Sequence, residues 1–105
     1  MADQTHECFE WRASQKEVKY GVSILRVSGK CRILKPGYSV ELRRQAPQGI
    51  NPRVCVLVVL AHKPLWRRGS SETVVKELEY SESTGAVYDS VLIMPDGVEV
   101  RVQRD

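Results

Sequence analysis

Histidine, cysteine and long apolar runs are all scarce in this chain, and each scarcity removes a class of function. Two histidines, His6 near the start and His62 further on, leave little material for a histidine-based catalytic or metal centre. His6-Glu7-Cys8 offers three donor types in a row, but strand alternation places only His6 and Cys8 on one side. Structural zinc takes four ligands, and no second pair such as C-x-x-C is present. No metal or other cofactor is therefore expected. G-x-S-x-G, the P-loop and G-x-G-x-x-G are also missing, which argues against an enzyme. No segment approaches the roughly 20 apolar residues of a membrane-spanning helix. There is no internal repeat and no low-complexity tract.

The three cysteines, Cys8, Cys31 and Cys55, are odd in number and widely spaced. They do not read as a disulfide framework. Cys55 falls within an apolar run and reads as a small core hydrophobe. Cys31 lies between Lys30 and Arg32, which would lower its thiol pKa if all three converged. On a strand, neighbours point to opposite faces, so a structural role is preferred. The first seven residues carry two acids and no apolar stretch of the signal-peptide kind. The expected location is cytoplasmic.

What is present is strand. The 105 residues, 42% apolar and 28% charged, suit a single domain over 1–105 with its own core. Residues 1–5 are expected to be disordered, and the 67–72 connection less ordered than its surroundings. Val54 to Ala61 is an unbroken apolar octet with four valines, too short for a core helix and suited to a strand covered on both faces. It reads as the central strand. Before it, Phe9, Trp11 and Ala13 alternate with Cys8, Glu10 and Arg12, predicting a half-buried strand with the large apolar groups on one face. Ser14–Glu17 reads as a loop. A parity change between Ile24 and Leu25 suggests a bulge or a strand crossing between sheets. Ser28-Gly29-Lys30 reads as a turn, and Lys35-Pro36-Gly37 as a type II turn with glycine supplying the positive φ.

Tyr38, Val40 and Leu42 alternate as a further strand, and 46–53, with two prolines and a glycine, is a structured loop. Residues 62–71 form a long connection. For 73–80 a helix capped by Ser71 competes with a strand; the β-branched Thr73, Val74 and Val75 favour the strand. Residues 90–94 and 98–102 flank Pro95-Asp96-Gly97 and predict a hairpin. Seven to eight short strands with regular turn signals point to an all-β, antiparallel, immunoglobulin-like sandwich. A small closed barrel is the competing architecture.

The net charge of +3 conceals an asymmetry. From Arg26 to Arg68 ten bases face one acid, Glu41, whereas from Glu72 onward eight acids outnumber three bases. Either basic strands pair with acidic ones, or the basic 26–68 segment forms a patch for an anionic partner. Pairing is the preferred reading. Were the patch continuous, nucleic acid would be the partner, with Trp66 stacking beside Arg67 and Arg68. No RNP motif, GXXG clamp or zinc knuckle accompanies it. Asp89, between Tyr88 and Ser90 in an apolar run, reads as a hydrogen-bonded structural aspartate rather than a catalytic one.

Gly37-Tyr38-Ser39-Val40-Glu41-Leu42, Pro47-Gln48-Gly49-Ile50-Asn51-Pro52 and Tyr88-Asp89 leading to Leu92-Ile93-Met94-Pro95-Asp96-Gly97 together resemble small bacterial β-domain proteins with no assigned function, over roughly residues 20–102. The resemblance implies a compact β domain and brings no site residues. The functional expectation is a non-catalytic protein-interaction module without membrane contact, working through loops 46–53 and 62–71. Its candidate anchors are Ile50, Arg53, Leu65, Trp66, Arg67 and Arg68, since aromatic residues and arginine dominate interface energetics. Nucleic-acid binding is the alternative.

Overall fold

Alternating side chains decide the faces of each strand here, and two bulges decide where those faces change over. The computed structural model describes residues 5–35, 37–64 and 74–104. It contains β1 (His6–Lys19), β2 (Val22–Ile33), β3 (Ser39–Arg44), β4 (Val54–His62), β5 (Val74–Thr84), β6 (Ser90–Met94) and β7 (Val98–Arg104). Among the described residues there is no helix. The preference for strand over 73–80 holds for the part that is described: β5 starts at Val74 and runs four residues beyond Tyr80. Residues 1–4 and the 67–72 connection lie outside the described residues.

The expected antiparallel immunoglobulin-like sandwich is not what forms. The seven strands make one sheet in the order β3-β4-β6-β7-β1-β2-β5, curled into a nearly closed, barrel-like form. Two neighbouring pairs, β4 with β6 and β1 with β7, are parallel; the other pairs are antiparallel. Strand β7 divides its pairing. Val98–Arg101 face β6 and Val102–Arg104 face β1, so one strand joins the two halves of the sheet. The expectation erred because local alternation specifies faces, whereas partners are set by contacts distant in sequence.

The core draws on all seven strands: Ala13, Leu25, Val27, Cys31, Leu42, Cys55, Leu57, Val59, Leu78, Val91, Ile93 and Val102, with Tyr88 between β5 and β6. In β4, Cys55, Leu57 and Val59 point inward, while Val56 on the outer face lies against the 46–53 loop. The expected cover on both faces is met only in part: Val54, Val58 and Leu60 are half-buried and Ala61 is exposed, and β4 stands one place in from the edge and not at the centre.

Strand β1 corrects three expectations. It is continuous to Lys19, so Ser14–Glu17 is strand and not loop, and the chain turns at Tyr20-Gly21 instead. The bulges lie in β1, between Phe9 and Arg12 and between Glu17 and Lys19, whereas β2 keeps an unbroken register with β5. At the first bulge Glu10 adopts φ 55° and Glu10-Trp11 oppose the single Gly29. The extra residue reverses the parity. Phe9 therefore shares the outer face with Lys30, and Trp11 packs inward. The Ser28–Lys30 segment is the middle of β2 and not a turn; Gly29 is there because the indole of Trp11 occupies the space a Cβ would need.

The same register places Cys8 opposite Cys31 on the inner face, where they form a disulfide. This overturns the expectation that the three cysteines form no disulfide framework; Cys55 is the one left free. Gly37 and Gly97 both have the expected positive φ, and the Tyr38 N–H donates to Lys35 O at 3.3 Å; Pro36 lies outside the described residues.

Candidate functional site

The 46–53 loop is a tethered projection. The side-chain amide of Gln48 substitutes for a strand neighbour: its Nε2 donates to Gln45 O (2.6 Å) and Val56 O (2.8 Å), and its Oε1 accepts from the Val56 N–H at 2.8 Å. At the far end Asn51 Oδ1 accepts from the Arg53 N–H at 3.0 Å. Arg53 makes a two-pronged pair with Asp89, Nη2 to Oδ1 at 2.9 Å and Nε to Oδ2 at 2.5 Å. Between these anchors Ile50 is fully exposed, with exposed Ala46, Pro47 and Pro52 beside it. A large aliphatic side chain is thereby presented on backbone that is already ordered.

Of the expected anchors, Ile50 is fully exposed near the loop tip. Arg53 is half committed, since its guanidinium serves Asp89. That pairing holds the Asp89 carboxyl below its usual range and the Arg53 guanidinium above its own. Asp89 is exposed, so the structural reading of this residue stands on its ion pair and not on burial. Leu65, Trp66, Arg67 and Arg68 lie outside the described residues, as does 65–71 of the second expected loop. Of that loop's described part, His62 Nε2 meets Glu41 Oε1 at 2.7 Å, the main cause lowering the Glu41 pKa.

The basic segment is interleaved with acids. Lys30 pairs with Glu10, Arg32 with Glu7, Arg43 with Glu41, Arg44 with Glu82 and Arg53 with Asp89. Cys8 is consumed in the disulfide, which removes it from the His6–Cys8 ligand pair.

Two features escaped the sequence reading. One closes the seam between the edge strands β3 and β5, which share no backbone ladder. Arg44 Nη1 reaches Glu82 Oε1 at 2.8 Å and donates to the Tyr88 hydroxyl at 3.3 Å; the Tyr80 hydroxyl donates to the same Glu82 oxygen at 3.0 Å. The Cys55 thiol lies 3.6 Å from that oxygen. Burial, reinforced by the Glu82 charge, pushes Cys55 up to about 12 and Tyr80 up to about 12. The thiol is therefore protonated and inert, which suits a structural closure and not nucleophilic chemistry. Only an inward alternation of Arg44 with Leu42 hinted at it.

The other is a cavity of about 1070 Å³ beside the point where β7 parts from β1. Register places Ala13, Val27 and Tyr80 in one row across β1, β2 and β5, and Trp11 and Val100 complete that wall. Arg12 and Arg101 stand on the two diverging strands. Nothing in the local spacing of these residues announces their meeting.

No protein-family model, curated protein or solved structure matches this chain.

Proposed function

We propose that the chain is a non-catalytic protein-interaction module that engages its partner through the 46–53 loop. One observation carries this reading: Ile50 is wholly exposed at the tip of a loop fastened at both ends by Gln48 and Arg53. A solvent-facing isoleucine on floppy chain would be unremarkable. On pre-ordered backbone it can be buried with little further entropic cost. The interleaving of bases and acids weighs against the nucleic-acid alternative, because neutralised arginines release few counterions. The Cys8–Cys31 bridge favours an oxidising compartment over the expected cytoplasmic one.

The test is site-specific photocrosslinking. Benzoylphenylalanine at position 50 should capture one discrete partner in native extract, and at Asp96 on the opposite hairpin turn it should not. Excess wild-type protein should compete, and excess Ile50→Ser, with unchanged melting, should compete at least tenfold less well, as loss of an aliphatic anchor implies. Equal competition by the two proteins would remove the loop from the interface.

A further inference from the structure

We infer that the cavity between β1, β2, β5 and β7 is a binding site for a small amphiphilic anion: a flat apolar body bearing one carboxylate or sulfonate. The inference is independent of the loop and rests on three observations.

The first is exposure. Trp11, Tyr80 and Val100 face inward and pack on the core, yet each is only partly buried, while Leu25 and Cys31 on the adjacent strand are wholly so. Inward side chains retain solvent contact only where they border a space. The space, about 1070 Å³, is at the upper end of what drug-sized ligands occupy.

The second is the character of the wall. The Ala13–Val27–Tyr80 row is a smooth aliphatic strip ending in a phenol, and Trp11 adds an indole whose position is set by Gly29. Aromatic faces select flat rings. Tyr80 turns its hydroxyl away toward Glu82, leaving ring carbon for the cavity.

The third is charge at the opening. β7 leaves β1 before Val102, and Arg12 and Arg101 stand on the two strands at that fork. Arg12 forms no ion pair among the described residues. Arg26 lines the same space, with Glu79 as the one carboxylate, so three guanidiniums outnumber one acid. That excess favours an anionic head with the body directed inward, since forked donors match carboxylate and sulfonate oxygens.

The probe pair 1-anilinonaphthalene-8-sulfonate and N-phenyl-1-naphthylamine shares its rings and differs in the sulfonate. Fluorescence titration of the full chain should give saturable, one-to-one binding of both. Arg12→Gln with Arg101→Gln should weaken the sulfonate about tenfold, the effect of one lost charge-assisted pair, and leave the neutral probe within about twofold. Val100→Phe, which fills the wall, should weaken both probes about tenfold. If Val100→Phe does not fold, the exposed arginine pair decides alone. Absence of saturation, a neutral probe that does not bind, or a sulfonate affinity indifferent to the arginines would each overturn the proposal.

Discussion

A glycine in mid-strand normally weakens a sheet, because it has no side chain to pack and loses the most backbone freedom. Gly29 is retained for the space it leaves. Its Cα sits beneath the six-membered ring of Trp11, and the bulge at Glu10-Trp11 directs that ring inward. Gly29→Ala should therefore cost about 1–3 kcal/mol, the range for overpacking, despite alanine's better strand conformation. Urea unfolding checks this, and most of the loss should disappear in a Trp11→Leu background. At this scale the sequence was partly legible. Ile50 and Arg53 are identifiable from a proline-bracketed loop, and Trp11 from its hydrophobicity. Gly29 was not, because glycine marks both turns and close approaches, and the indole that distinguishes them lies 18 residues away in the chain. Nor were Gln15 and Gln48. Gln15 is buried, bonded to Ala86 O at 2.7 Å and to the Tyr88 N–H at 3.1 Å, in a stretch polar enough to read as loop.

Elements marked by a strong local signal, a turn or an apolar or β-branched run, were the legible ones. The β6–β7 hairpin occupies the expected residues, and β4 and β5 fall on their apolar and β-branched runs. The β1–β2 pairing depends on a register shifted by bulges, and that shift aligns Cys8 with Cys31. The bridge closes a loop over a sequence separation of 23. Removing it by Cys8→Ser with Cys31→Ser should lower stability by about 3 kcal/mol, mainly by enlarging the unfolded ensemble. Denaturant midpoints should fall to the value that the wild-type protein shows in dithiothreitol. A double variant as stable as the oxidised protein would show that the bridge adds nothing to the hairpin.

Across the whole molecule, the sheet's two free edges meet through side chains and not through backbone. Tyr80 and Cys55 both stay neutral in that seam, each pushed up to about 12. In an unfolded chain the thiol ionises near 9 and the phenol near 10. Stability from these groups is thus complete below pH 9 and declines as pH rises toward 12, since the unfolded state releases protons first. Denaturation midpoints measured from pH 7 to 11 should be flat and then fall. Cys55→Ala with Tyr80→Phe should flatten the upper limb, and an unchanged limb would place the alkaline sensitivity elsewhere. Apart from the alternation that sets Arg44 on the same face as Leu42, none of this closure was readable in advance. Alternation reports which way a side chain faces, but not which distant strand it will face across an interior, so a sandwich and a curled single sheet look alike in one dimension.

The divided pairing of β7 bears on how the protein is made. While a nascent chain is still emerging, the first two strands can zip to each other, but β1's second neighbour is synthesised almost ninety residues later. The β4–β6 half likewise waits for the same strand. Until the segment around residue 104 clears the ribosome, two partial ribbons stand with open edges, and that interval is when a chaperone or a wrong neighbour can reach them.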